Sequence, residues 1–302
     1  MDDYARAHYE LKFQLAFLEK EGDAFQDFFS SIMGKRYPGD FMQVRPWGNV
    51  GDQKCDGYLR TKKMLFQCYA PNDMEAAKCI AKIHEDFAGA LPYWKDHFAH
   101  WVFVHNSARG LGPAVTKVLL DLGSAHVPLT VTTWGFEELR QEAMALDEPA
   151  LASLFGPCPT RKHMIELGLA ELVPVLDQVA RLAPSPDPDL RPVPTDKLQR
   201  NLLSPAVETL LRAGMSRADL VRKYFKLEPT LRDRIAASFR FRYDALRTEG
   251  IAPDEVFAGL QRFASGEILP RPSAQAAVLA VLSFFFEECD IFERPSSAEE
   301  RS

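Results

Sequence analysis

Apolar residues recur at helical spacing from Tyr4 to Leu18, where Leu11, Leu15 and Leu18 run beside Phe13 and Phe17. Gly22 breaks that run, and Asp23 can cap a second helix through Met33 whose buried face is Phe25, Phe28, Phe29 and Ile32. Tyr37 to Asp40 reads as a turn and Phe41 to Val44 as a strand. Two further strands follow, the first carrying Asp56 and the second Gln67, joined by a basic turn from Arg60 to Lys63. Alternation places Gln67 and Tyr69 on one face of the second strand and Phe66 and Cys68 on the other.

Asn72 or Asp73 caps a long helix to about Ala90, and Trp101 to His105 is an apolar run expected to form a buried strand. Pro113 opens a helix to Leu122, Val127 to Thr133 is a β-branched strand, and Gly135 to Ala145 is a helix. Met164 to Arg181 is one more amphipathic helix. The order predicts an α/β sandwich around a central mixed sheet, over residues 1–182.

The pattern then changes. The stretch 183–194 holds five prolines in twelve residues and reads as a stiff, extended linker. Beyond it, Pro205 to Ala213, Arg217 to Phe225, Leu231 to Glu249, Pro253 to Ser265 and Ala274 to Glu288 all show helical periodicity. Residues 195–295 are therefore expected to form an all-α bundle closed by the aromatic run Phe284 to Phe292, with Ser296 to Ser302 a polar tail. No internal repeat is visible.

Composition narrows the function classes. A 46% hydrophobic and 26% charged chain of 302 residues suits about two globular domains. No apolar run reaches the ~20 residues of a membrane span, and Met1-Asp2-Asp3-Tyr4 lacks the basic start of a secretory signal. The five cysteines are far apart and form no C-x-x-C pair, which argues against a disulfide framework or a zinc site and fits the reducing cytoplasm. A net charge of −6 leaves no whole-surface attraction for nucleic acid, so such binding must be local. Residues 191–247 supply one such place, with thirteen basic and six acidic side chains and Tyr224, Phe239, Phe241 and Tyr243 interleaved. A solvated face or a contact for an acidic partner explains the same segment.

Chemistry concentrates between Gly48 and Pro71. Gly51-Asp52, Asp56-Gly57 and Phe66-Gln67-Cys68-Tyr69, set between a Phe-rich helix and a long helix, resemble the core of PD-(D/E)XK restriction-endonuclease-like domains, in particular the Mrr-like group. The resemblance covers roughly the first half of the chain. It implies a restriction-endonuclease-like mixed sheet and an endodeoxyribonuclease using Mg²⁺ or Mn²⁺, with DNA as the partner. In that family an Asp and a Glu or Gln bind the metal, which polarises the phosphodiester and activates water. Carried over, Asp56 and Gln67 are the metal positions, and Glu21 or Glu10 is the helical third ligand; Gln26 or Asp27 stands where the family's helix usually carries Glu. The sequence departs from the family at Tyr69, which occupies the lysine position and brings no positive charge. Lys54, Lys63, Lys78 and Lys82 are the candidate replacements. The competing reading is the same fold without catalysis, an adaptor in which Asp52 and Asp56 satisfy loop amides.

The helical part carries its own resemblance. Lys223-Tyr224-Phe225, Ile235 to Phe239, Tyr243, Leu246, Ile251 to Phe257 and Ala277 to Phe292 resemble the C-terminal helical module of ABC-three-component systems. Those bacterial conflict systems pair an ABC-type ATPase with an effector, so the resemblance implies an anti-phage or anti-plasmid role and a partner ATPase or other subunit docked through residues 195–295. A helical oligomerisation bundle accounts for the same apolar pattern, and Pro205 to Phe225, with its turn at Ala213-Gly214-Met215, also admits a helix-turn-helix.

Overall fold

The computed structural model describes residues 1–45, 53–181, 201–266, 271–288 and 291–292. The glycine-rich loop 48–52, the proline-rich stretch 183–194, Cys289 and the tail 296–302 lie outside the described residues. The chain forms two compact units, Lys12–Gly156 and Met1–Leu11 with Pro157–Ser302. Helix α1 (Asp3–Glu19) is divided between them.

The first unit is the expected α/β architecture. Its five strands, β1 (Phe41–Gln43), β2 (Gly57–Leu59), β3 (Met64–Tyr69), β4 (His100–His105) and β5 (Thr130–Trp134), lie in sequential order across one sheet. β1, β2 and β3 form an antiparallel meander; β3, β4 and β5 run parallel, as the helical crossovers α3 (Ala76–Trp94) and α4 (Pro113–Ala125) require. Helices cover both faces. On one face, Phe25, Phe28, Phe29, Ile32 and Met33 of α2 (Gly22–Arg36) meet Leu59, Phe66, Val102 and Val104. Phe13 and Phe17 of α1 and Leu139 and Ala143 of α5 (Phe136–Met144) complete that layer. On the other face, Cys79, Ile83, Phe87 and Ala90 of α3 pack with Leu65, Trp101 and Phe103.

The alternation in β3 holds: Phe66 and Cys68 join the α2 layer, whereas Leu65 and Tyr69 join the α3 layer. Gly57 is fixed by packing, since a Cβ there would come within 2.5 Å of the Phe41 ring. Several expectations change at this level. Asp56 lies one residue before β2 rather than within a strand, whereas Lys63 ends the expected turn between β2 and β3, with φ of 49°. Glu148–Phe155 is a short helix, α6, capped by Asp147 and missed because only two turns are too few to show a period.

The second unit is helical. Its elements are α7 (Arg161–Ile165), α8 (Leu169–Arg181), α9 (Pro205–Met215), α10 (Ala218–Leu227), α11 (Pro229–Thr248), α12 (Pro253–Ser265) and α13 (Pro272–Glu287). The single helix expected over Met164–Arg181 is therefore two, separated at Glu166–Gly168, where the Glu171 carboxylate accepts the Gly168 N–H. Residues 157–181 pack with the helical unit, because Leu172, Val175, Leu176 and Val179 of α8 are buried where α8 meets α11, α12 and α13. α13 is its central element, with Ala276 through Phe286 all buried. Gly214 of α9 permits close approach: a Cβ there would fall 2.1 Å from Ser283 Oγ. Gly214 lies inside α9, so the turn into α10 comes later, at Ser216–Arg217, and the inward faces of both helices are buried.

Candidate functional site

The loop entering β2 places Asp56 against the edge of β3. Its side chain is 4% exposed. Asp56 Oδ2 accepts the backbone N–H of Cys68 at 2.6 Å, and Oδ1 accepts the Gln26 side-chain amide at 2.5 Å. The Asp56 backbone still pairs on both sides, its N–H donating to the Phe66 carbonyl at 2.9 Å and its carbonyl accepting from Val44 at 3.2 Å, and the carboxylate adds an acceptor for the next amide along β3. Gln26 is held in turn: its carbonyl oxygen accepts from Arg45 at 3.3 Å, and Arg45 is ion-paired with Asp27. Of the two residues offered for the family's helical acid, Gln26 is joined to Asp56 as a hydrogen-bond donor and Asp27 is ion-paired with Arg45. Beside it, burial foremost and the Asp56 charge next push the Cys68 thiol pKa well up, so this cysteine stays protonated.

Gln67 is also 4% exposed, and its Oε1 is buried without a hydrogen-bond partner among the described residues. Its pleat direction is that of Leu65 and Tyr69, towards the α3 layer, whereas Asp56 reaches α2 through Gln26. The two predicted metal positions, one in the loop entering β2 and one in β3, thus have side chains that serve different layers. Tyr69 packs its ring 6.0 Å from Phe103, and burial raises its phenol pKa; it remains neutral. Glu21 is exposed at the start of α2, where Gly22 N–H donates to the Ala70 carbonyl at 2.7 Å. Glu10 belongs to the other compact unit.

The candidate lysines are engaged elsewhere or exposed. Lys54 bonds Glu85 and lies 3.1 Å from Asp86 Oδ1, and these contacts, the Glu85 bond first, raise its pKa. Lys82 reaches the same oxygen at 2.8 Å. Lys78 pairs with Glu75 at 2.7 Å, and Lys63 is exposed in its turn. Lys54 lies flat across α3 because residue 89 is glycine; a Cβ there would meet Lys54 Cγ at 2.8 Å. Asp86, fully buried, and Arg45 are the two charged residues that sequence reasoning missed. The Lys82/Asp86 spacing of four on one helix is the only signal that could have marked Asp86.

Mg²⁺ is held through carboxylate oxygens with water completing an octahedron. Both Asp56 oxygens already accept N–H groups, Gln26 turns its amide nitrogen inward, and the free oxygen donor is the amide of Gln67. Among the described residues no three His, Cys, Asp or Glu side chains form a group that can hold a metal ion. The described residues around Asp56 do not fit the metal.

At the far ends of the parallel strands, His105 is 3% exposed and its Nδ1 accepts the Ser107 N–H at 3.2 Å. Burial lowers its pKa to about 4, partly opposed by Glu138. Gly135 makes room for the ring, since a Cβ would come within 2.7 Å of it. Among the described residues no helix is long and apolar enough to cross a membrane.

No curated protein and no solved structure matches the chain. Residues 170–293, from the start of α8 past the end of α13, match the family model of C-terminal domain 10 of the ABC-three component (ABC-3C) systems.

Proposed function

We propose that this chain is a component of a bacterial ABC-three-component defence system, docked to the other components through its helical unit. The observation that carries this reading is the match over residues 170–293, which takes in α8 through α13. An ABC-type ATPase is the expected partner, and co-purification of the full chain with it tests the assignment. Retention by a variant lacking residues 170–293 would overturn the docking role.

For the α/β unit, we infer a nucleic-acid-recognising adaptor of restriction-endonuclease-like fold that does not cut its ligand. Saturation of Asp56 by Cys68 and Gln26, and the neutral Tyr69 at the lysine position, support it. Phosphodiester hydrolysis needs a cation or a positive side chain where charge develops, and Lys54 and Lys82 are instead bound to Asp86. The second reading is a Mg²⁺-dependent endonuclease using Asp56 and Gln67. It is favoured by the unpartnered Gln67 Oε1, an oxygen donor left open on a buried side chain.

Gln67→Met separates the two. The adaptor retains phage or plasmid protection with this variant, and plasmid DNA stays intact with Mg²⁺ or Mn²⁺ and the partner proteins present. DNA cutting by the wild-type complex that disappears in Gln67→Met would establish the endonuclease instead.

A further inference from the structure

The outer face of α11 is unusual for a surface helix. Ile235, Ala236, Ser238, Phe239, Tyr243 and Leu246 turn inward and are buried. At about 100° per residue, Thr230, Arg234, Ala237, Phe241, Asp244 and Thr248 fall together on the opposite side. Phe241 is 64% exposed at the middle of this stripe. A large aromatic left in water between a small residue and two opposite charges has the composition of an interface centre.

The stripe is complementary to itself. When α11 is laid antiparallel against a second α11, with the two-fold axis at the level of residue 239, Phe241 of each copy falls on Ala237 of the other. One turn further out, Arg234 of each copy meets Asp244 of the other, and Thr230 meets Thr248 at the ends. Each opposition follows from equal spacing about the axis: two residues either side for Phe241 and Ala237, five for Asp244 and Arg234, and nine for Thr248 and Thr230. Ala237 leaves space for the ring at the 8–10 Å separation typical of packed helices. Arg234 uses one Nη to reach the Ala180 carbonyl at 3.2 Å, and a guanidinium has further N–H groups to offer.

We propose that two copies of this chain associate through α11 in an isologous antiparallel helix pair, with Phe241 as its anchor and two Arg234–Asp244 pairs setting its register. The charge pattern selects this occupant. A nucleic-acid strand would meet Asp244 on the same face as Arg234, whereas a second copy neutralises both.

Sedimentation equilibrium of the full-length protein tests the proposal, the expected mass being twice the 34.0 kDa of one chain. Phe241→Glu, at an exposed position that does not threaten folding, should yield the monomer. Arg234→Asp and Asp244→Arg should each weaken the dimer, and the double exchange should recover it. A monomeric wild type, a dimer indifferent to Phe241→Glu, or a double exchange no better than either single one would overturn the assignment. So would a monomer that binds single-stranded DNA in a salt-sensitive manner lost in Phe241→Ala, since the face would then serve nucleic acid.

Discussion

Asp56 and Cys68 are joined by a 2.6 Å hydrogen bond in which a buried carboxylate accepts a backbone amide of the neighbouring strand. The residue that the sequence marks most strongly for chemistry thereby holds β3 through its side chain as well as through its own N–H, which donates to the Phe66 carbonyl at 2.9 Å. Removing it leaves the Cys68 N–H and the Gln26 amide without their acceptor. Asp56→Ala should cost about 1–3 kcal/mol, the penalty for a buried donor left unpaired. Urea unfolding measures it, and an unchanged midpoint would contradict a structural role. Any loss of function in this variant has to be read against that loss of stability.

Gln67 predicts the opposite sign. Its buried Oε1 has no partner among the described residues, so the folded state bears the desolvation of an amide without a compensating bond from them. Gln67→Met keeps length and volume while removing that group. The protein should gain about 1 kcal/mol, seen as a higher unfolding midpoint at unchanged slope. A loss of stability would mean that the amide is satisfied by a ligand or an ordered water.

Gly214 reports on the helical unit. A methyl group there would lie 2.1 Å from Ser283 Oγ and 2.5 Å from the Leu279 carbonyl oxygen. Gly214→Ala should therefore force α9 away from α13 and destabilise the protein by about 1–3 kcal/mol, despite the gain in helix propensity. Adding Ser283→Ala should recover only part of the loss, because the backbone oxygen stays in place. Thermal unfolding of the two variants checks both halves of this expectation.

His105 makes stability depend on pH. The unfolded histidine titrates near 6.5 and the folded one at about 4, so between these values the unfolded chain binds more protons. Stability is then complete above about pH 6.5 and falls as pH drops towards 4, by up to about 3 kcal/mol from this residue. Protonating Nδ1 also removes the acceptor of the Ser107 N–H. His105→Gln should flatten this part of the profile, as measured by denaturation midpoints at stepped pH; a slope identical to wild type would refute the assignment.

Local periodicity in the chain determined the elements and their faces. Phe25, Phe28, Phe29 and Ile32 share one side of α2 because spacings of three and four return to the same side of a helix, and they are buried together. Phe66 and Gln67 part company because a strand alternates, and so the two layers on either side of β3 were legible from sequence. The compositional break near residue 183 likewise marked off a helical region, although the helical unit and the family match take in α8 as well.

What the side chains do to one another was decided only in three dimensions. Lys54 and Asp86 are distant in sequence and meet because α3 folds back beside the β2 loop, with Gly89 leaving space for the lysine stem. The family resemblance marks Asp56 as a metal position, and the fold adds the Cys68 N–H and the Gln26 amide as partners of its carboxylate, because a hydrogen-bond partner on another strand has no signature in local spacing. Gly214 shows the same limit: nothing around it in the sequence indicates that Ser283 will pack against its missing side chain.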